Sequence, residues 1–159
     1  AAEGLIGPSA PTESVGGMTD GDYDWHLVPR DKAGNTGNTA VKVDAVLGQL
    51  DGTVDLNPGS VTVQESSDQT YALTFNPSRT DLFNYSSVTA DLSSLGGDTA
   101  ASLAENPDDS WFLTYTDTDG RPATGTYWIT VSYEGTDVHG NPVTDGWTNV
   151  GLVVNDDNP

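Results

Sequence analysis

Turn-forming residues interrupt this sequence about every 8 to 12 residues, and this spacing limits what the chain can fold into more than any other feature. The turns are clusters of Gly, Pro, Asn and Asp at 57–59, 76–78, 96–98, 106–109, 117–120 and 140–142. Segments this short can hold a strand of ordinary length but not a stable helix of several turns. The spacing therefore predicts an all-β chain built as a sandwich or a barrel.

Between the turns, apolar and polar residues alternate, as they do in strands with one buried face. Tyr71, Leu73 and Phe75 fall on one side of such a segment, and residues 111–115 show the same period. The pattern predicts strands at 60–65, 70–76, 86–92, 99–104, 110–116, 125–134 and 147–155. This number of strands in about 100 residues matches an immunoglobulin-like sandwich.

Parts of the sequence recur at a nearly constant offset. Gly21-Asp22-Tyr23-Asp24-Trp25 has a counterpart in Gly125-Thr126-Tyr127-Trp128-Ile129, and Asp31-Lys32-Ala33-Gly34-Asn35 has one in Asp137-Val138-His139-Gly140-Asn141. Residues 41–43 correspond to the Val-rich stretch 150–154, and Asn57-Pro58 recurs as Asn158-Pro159. Self-similarity at a period of this length is typical of tandem domains.

The order Gly-x-Tyr, strand, Asp-x-x-Gly-Asn and Val-rich strand is similar to the last hairpin of bacterial and archaeal immunoglobulin-like repeats. Residues 88–98 resemble the middle strands of those repeats, which occur in surface-layer proteins, adhesins and accessory regions of secreted enzymes. The resemblance implies an immunoglobulin-like β-sandwich with one complete repeat, at 50–156. The final hairpin of a preceding repeat lies at 20–47.

The remaining segments are interpreted as connections. Residues 1–19, rich in Gly, Pro and Ser, form a linker or an extended segment, and residues 157–159 begin a linker to a next repeat. Because a two-stranded hairpin is marginal alone, we expect residues 20–47 to complete a sandwich with polypeptide outside 46–159. That polypeptide is either upstream chain or a neighbouring copy that exchanges strands.

Acidic side chains outnumber basic ones by 24 to 5, which gives a net charge of -19. Direct binding of nucleic acid is excluded, because it needs clustered Lys and Arg. The acids are scattered along the chain, mostly as Asp, and so indicate a wholly acidic surface. Such a surface resembles those of proteins from salt-loving archaea, where brine screens the repulsion between the acids. Asp-rich extracellular modules provide a second explanation, because they bind Ca²⁺ through carboxylate oxygens. Salt adaptation is the favoured explanation, and the two can coexist.

The composition also bears on location. The sequence contains no Cys and no apolar run long enough to span a membrane as a helix. The absence of Cys fits either side of a membrane, but the abundance of Asp, Thr, Ser and Gly favours an extracellular position at the cell surface.

The sequence offers no catalytic set. Its two histidines, His26 and His139, are interpreted as a strand residue and a turn residue, and the chain lacks the Cys or His-x-x-x-His spacing of a zinc site. Pairs of neighbouring acids are expected by chance in so acidic a chain. We therefore predict that the chain is not an enzyme and needs no cofactor, with Ca²⁺ as the one candidate.

Two further sites are predicted from short motifs. Asp117-Thr118-Asp119-Gly120 is half of a calcium loop, so Asp117 and Asp119 are candidate Ca²⁺ ligands, although the same residues suit a hairpin turn, which we favour. Asn84-Tyr85-Ser86 is an N-glycosylation sequon and makes Asn84 a candidate attachment site.

Several large aromatic residues occupy strand positions. They could form a platform on which sugar rings stack, but large aromatics in strands more often belong to a core, and the core interpretation is favoured. The residues are Trp25, Trp111, Trp128 and Trp147, with Tyr23 and Tyr127.

These observations favour a structural protein of the surface layer or cell wall of a halophile. Its immunoglobulin-like repeats would act as rigid spacers that contact neighbouring repeats or other copies of the chain. The alternatives are an adhesin or virus-fibre module, a glycan-binding accessory module, and a filament subunit completed by strand exchange. An exposed aromatic strip on one sheet would favour glycan binding.

Overall fold

The computed structural model describes residues 17–27, 30–37, 41–63, 68–117, 124–143 and 145–156. The chain divides into two compact units, Ala1–Gly48 and Gln49–Pro159. Apart from one short 3-10 helix, the regular structure of the described residues consists of strands. The all-β prediction is therefore confirmed.

The first unit contains one antiparallel pair of strands. β1 (Gly21–Leu27) and β2 (Val41–Leu47) pair along their whole length, with Gly21 opposite Leu47 and Leu27 opposite Val41. Both strands fall within the segment 20–47, and the loop that contains Asp31 lies between them.

The second unit contains the remaining strands. In chain order they are β3 (Gly52–Asn57), β4 (Ser60–Val63), β5 (Gln69–Pro77), β6 (Phe83–Asp91), β7 (Ala101–Ser102), β8 (Ala104–Glu105), β9 (Trp111–Asp117), β10 (Gly125–Asp137) and β11 (Gly146–Asp156). The 3-10 helix Ser93–Leu95 follows β6.

These strands form two sheets. One has four strands in the order β3-β5-β9-β8, and the other has five in the order β4-β11-β10-β6-β7. Neighbouring strands are antiparallel except β4 and β11, which run parallel. The chain crosses from the first sheet to the second between β3 and β4, at the turn 57–59, where the peptide bond between Asn57 and Pro58 is cis.

Alternating side chains of both sheets form the core. On β5 the buried residues are Tyr71, Leu73 and Phe75, as their period predicts. The partner sheet contributes buried apolar residues of β6, β10 and β11, namely Phe83, Val88, Ala90, Ile129, Val131, Tyr133, Leu152 and Val154. Each sheet thus turns one face inward, as in a β-sandwich.

An aromatic cluster joins the two sheets. The ring of Phe75 on β5 stacks on that of Tyr133 on β10, with centroids 4.8 Å apart, and meets the ring of Tyr85 on β6 at 5.8 Å. The Tyr85 hydroxyl group donates hydrogen bonds to the carbonyl oxygens of Ser78 and Asp51. Burial raises the pKa of Tyr85 above its ordinary value, so that the hydroxyl group loses its proton only at more alkaline pH than an exposed tyrosine does.

The structure differs from the predicted strands at several points. β3 was not predicted, because its two apolar residues, Val54 and Leu56, give too short an alternation beside a Pro-Gly turn. The strand expected at 99–104 is two short strands, β7 and β8, which belong to different sheets. Part of the strand expected at 60–65 lies outside the described residues.

Replacing Phe75 tests the role of the aromatic cluster. Phe75 is fully buried, so Phe75→Ala should lower the free energy of unfolding by about 3 to 5 kcal/mol. Phe112→Ala is the matched control, because Phe112 lies on the neighbouring strand but is 38% exposed; it should cost less than about 1 kcal/mol. Denaturant unfolding at one fixed salt concentration measures both, and equal losses would contradict this view of the core.

Candidate functional site

The outer face of the five-stranded sheet carries two exposed tryptophans. Trp128 on β10 is 62% exposed and Trp147 on β11 is 66% exposed. The residues of these strands that point away from the core are Thr126, Trp128, Thr130, Ser132 and Glu134 on β10, and Trp147, Asn149, Gly151, Val153 and Asn155 on β11. We call this surface the tryptophan face.

The indole of Trp128 lies across the neighbouring strand. Trp128 is paired with Gly151, and a Cβ atom placed on Gly151 would lie 3.4 Å from Cζ3 of the indole and 3.6 Å from Cη2. The six-membered ring of Trp128 therefore lies beside the backbone of Gly151, at van der Waals distance from the position of a Cβ atom there. On the other side, the Ser94 hydroxyl group donates a hydrogen bond of 3.1 Å to the Trp128 carbonyl oxygen and holds the 3-10 helix against this strand.

Polar side chains separate the two indoles. Thr130 and Asn149 face each other in the strand pair, and the Thr130 hydroxyl group donates a hydrogen bond of 2.8 Å to Oδ1 of Asn149. Trp147 lies opposite Ser132, four positions along β10 from Trp128, so the two tryptophans are about 13 Å apart along the strand direction. The face thus presents two aromatic surfaces with hydroxyl and amide groups between them.

The tryptophan face has no positive charge. The sequences of β4, β6, β7, β10 and β11 contain no Lys or Arg. Glu134 gives this face a negative charge, and Asp91 on β6 borders the face opposite Thr130. Such a surface disfavours anionic ligands and leaves ring stacking and neutral hydrogen bonds as the available means of recognition.

The interpretation of the tryptophans as core residues is right for one and wrong for two. Trp111 is 8% exposed and belongs to the core, whereas Trp128 and Trp147 do not. The side chain of Trp25 lies outside the described part of the chain. Tyr127 is half-buried, and Tyr23 donates a hydrogen bond of 2.6 Å to the Thr19 carbonyl oxygen.

The strand period could have revealed the two exposed rings. On β10, the apolar series is Tyr127, Ile129, Val131 and Tyr133, so Trp128 shares its side with Thr and Ser. Trp147 falls in the same way on the side of Asn149, opposite Val150, Leu152 and Val154. A large aromatic that alternates out of step with its strand's apolar residues is expected on the outer face.

A second feature of the structure is a loop that occurs twice with the same hydrogen bonds. In Asp31–Asn35 the Asp Oδ1 accepts bonds of 2.9 Å from two backbone N–H groups, and Oδ2 accepts one of 2.8 Å from the Asn35 side chain. In Asp137–Asn141 the corresponding three distances are 2.9, 2.8 and 2.9 Å. The backbone bonds across both loops also correspond, and Gly34 and Gly140 adopt φ of +87° and +82°.

Hydrogen bonding shifts the titration of the loop carboxylates. The Asn141 side chain is the largest of the causes that lower the pKa of Asp137, followed by backbone N–H groups and the charge of His139. The side chain of Asn35 lowers the pKa of Asp31 in the same way. Both carboxylates are therefore structural acceptors that need to stay ionised.

The two candidate calcium ligands are not both described. Asp117 ends β9, where it is 6% exposed, and Asp119 lies outside the described residues. Within the described ranges, no group of three or more His, Cys, Asp and Glu side chains is placed to hold a metal ion. The calcium site at Asp117 and Asp119 stays a prediction.

The predicted glycosylation site lies on a strand. Asn84 is exposed on β6, and its Nδ2 donates a hydrogen bond of 3.3 Å to the Asp137 carbonyl oxygen. Ser86, the hydroxyl residue of the sequon, donates to the Glu134 carbonyl oxygen at 3.2 Å. Because an amide nitrogen has two hydrogens, a glycan on Nδ2 leaves one of them for this bond.

The histidines lie where the sequence places them. His26 is on β1, and its side chain is outside the described residues; His139 is exposed in the Asp137–Asn141 loop, where its backbone N–H bonds to Asp137.

Comparison with known proteins assigns no family to this chain. No protein-family model matches the chain, and no curated protein matches it significantly. Among the described residues there is no helix long and apolar enough to cross a membrane.

The loop hydrogen bonds predict a specific titration. Asn141→Ala should raise the pKa of Asp137 towards its ordinary value of about 3.9, because it removes the main group that stabilises the carboxylate. A lowered folded-state pKa means that Asp137 stabilises the fold fully above about pH 3.9, and that this contribution is lost as the pH falls through the folded-state value. NMR titration of the carboxyl carbon measures the shift.

Asn155→Ala, at an exposed position on β11, is the control and should leave the titration of Asp137 unchanged. Asn35→Ala should raise the pKa of Asp31 in the same way as Asn141→Ala does for Asp137. An Asp137 titration that is the same with and without the Asn141 amide would show that this bond does not control the carboxylate.

Proposed function

We propose that this chain is part of an extracellular surface protein of a halophile, in which immunoglobulin-like repeats act as acidic spacers. The observation that carries the proposal is the loop built twice, at Asp31–Asn35 and Asp137–Asn141, with corresponding hydrogen bonds. Equivalent loops between strands in both units support a tandem-repeat origin for the chain. In a tandem array, stacked sandwich cores would resist deformation between the cell and its surroundings.

The strand order supports the immunoglobulin-like assignment. The order β3-β5-β9-β8 corresponds to the A-B-E-D sheet of immunoglobulin domains, and β11, β10 and β6 correspond to the G-F-C sheet. β4 extends that second sheet on the β11 side, after the chain has crossed between the sheets at the turn 57–59.

The charge distribution supports the assignment to a salt-rich environment. Residues such as Asp68, Asp98 and Asp145 are exposed, in a chain with five basic side chains to balance 24 acids. The Debye length falls from about 10 Å at 0.1 M salt to about 3 Å at 1 M, so brine screens the repulsion between such charges. A protein with such an acidic surface is therefore expected to be more stable in brine than in dilute buffer.

Salt dependence of unfolding tests the proposal. The melting temperature should climb steeply between dilute and molar KCl, because the folded state holds the acids closer together than the unfolded chain does. The triple variant Asp68→Asn, Asp98→Asn and Asp145→Asn should melt higher than the parent in dilute buffer and should gain less from KCl. Equal melting temperatures of the parent in both solutions would overturn the halophilic assignment.

Calcium is distinguished by a parallel titration. If screening is the cause, millimolar CaCl₂ at constant ionic strength should not raise the melting temperature, and EDTA should not lower it. If millimolar Ca²⁺ raises the melting temperature and Asp119→Ala abolishes that rise, part of the acidity instead serves the calcium site predicted at Asp117 and Asp119.

Hydrogen exchange tests the role of the first hairpin. A two-stranded sheet is marginal without a partner sheet, so the amides of β1 and β2 should exchange quickly in the monomeric chain while those of β5 and β10 are protected. Slow exchange at β1 and β2 in a monomer would contradict the view that this hairpin needs polypeptide from outside 46–159.

A further inference from the structure

We propose that the tryptophan face binds an uncharged glycan chain, with Trp128 and Trp147 as two stacking surfaces. This inference goes beyond the spacer function and does not depend on it, since it concerns one face of the second unit alone. It rests on the orientation of Trp128, on the polar side chains between the rings and on the charge of the face.

The position and exposure of Trp128 suit a ligand with a ring that can stack on it. Its six-membered ring lies over Gly151, where a larger side chain would push it away from the sheet. Two atoms of this ring, Cζ3 and Cη2, therefore lie close to the strand, while 62% of the residue stays exposed. An indole that is largely open to solvent offers a π face to the C–H groups on one side of a sugar ring.

A purely structural explanation accounts for only one of the two tryptophans. An aromatic side chain that covers a cross-strand glycine stabilises a sheet, and Trp128 over Gly151 fits that role. Trp147 lies opposite Ser132, not opposite glycine, and is still 66% exposed. Solvent exposure of two tryptophans on the same two strands calls for a ligand that covers both.

The space between the rings indicates the chemistry of that ligand. The backbone positions of the two tryptophans stand about 13 Å apart along the strands, and the surface between them carries the Thr130 hydroxyl group and the Asn149 side-chain amide. The core of a protein interface is instead continuous and apolar. A ligand with apolar ring faces and hydroxyl groups along its length, spanning several sugar units, matches this alternation.

The charge of the face restricts the glycan further. The strands of this sheet carry no Lys or Arg, Glu134 lies on the face and Asp91 borders it. Sulfated or uronic-acid polysaccharides would meet only like charge on this face. The charge of the face thus favours a neutral polysaccharide over an anionic one, and the polar side chains between the rings favour it over self-association.

Depletion from solution by insoluble polysaccharides tests the proposal. The whole chain in molar KCl is mixed with cellulose, chitin or mannan, and at least one of these should remove it from solution. Oligosaccharides released from that polysaccharide should shift the tryptophan fluorescence of the parent. Trp128→Ala and Trp147→Ala should each weaken binding about tenfold, which corresponds to about 1.4 kcal/mol, and the double variant should not bind measurably.

Two controls separate binding from folding. Phe112→Ala, which removes an exposed aromatic from the other sheet, should bind as the parent does. Gly151→Ala should also bind, because its Cβ reaches the indole only at van der Waals distance. Gly151→Val should lose binding by displacing the ring, while its melting temperature stays equal or rises because Val favours strands.

Three results would overturn the proposal. The first is that none of the three polysaccharides depletes the parent. The second is that a polysaccharide depletes the double tryptophan variant as well as the parent. The third is that sedimentation equilibrium shows the parent dimerising through this face, with the double variant monomeric and no polysaccharide bound, which would assign the face to self-association.

Discussion

The stacking of Phe75 against Tyr133 is the contact on which the rest of the structure depends. The chain has no Cys and therefore no disulfide, so the second unit is held together by burial of one face of each sheet. The rings of Phe75, Tyr133 and Tyr85 join strands of both sheets at this point. Once their side of β10 is buried, the strand period requires Trp128 to point to solvent. The strand period that buries the core residues of β10 therefore also exposes Trp128.

Aspartate has two roles in this chain. Some Asp carboxylates hold their turns together when they are ionised, whereas ionised carboxylates on the surface repel one another. The short side chains of four Asp residues accept hydrogen bonds from a side chain and then from backbone N–H groups of their own turns, which lowers their pKa values and keeps them charged. These residues are Asp31, Asp91, Asp108 and Asp137. Exposed residues such as Asp68, Asp98 and Asp145 add to the surface charge. At the four turn positions the choice of Asp has a local cause, because Glu is too long to make these turns. Salt screens the repulsion between the ionised carboxylates and leaves the short hydrogen bonds in place.

The sequence predicts the elements of this fold better than the surface they create. Alternation predicted β5, β9, β10 and β11, because each has an uninterrupted apolar series on one side. The Asp-x-x-Gly-Asn motif marked both repeated loops, because the Asp, the Gly and the Asn each have a fixed role in the hydrogen bonding. β3 was missed because it offers two apolar residues. Trp128 and Trp147 were predicted in the core because large aromatics in strands are usually buried, but the local period of their strands places both on the outer face.

The acidity of the chain and the tryptophan face fit together in brine. Recognition by ion pairs would weaken at the salt concentrations that screen this surface, because the same screening acts on ligand and protein. Ring stacking over Trp128 and Trp147 does not depend on net charge, and burial of apolar surface is not weakened by such screening. The Thr130 and Asn149 groups between the rings are neutral hydrogen-bonding groups. On the proposed halophilic assignment, this face would keep its ability to bind an uncharged ligand at the salt concentrations in which the chain folds.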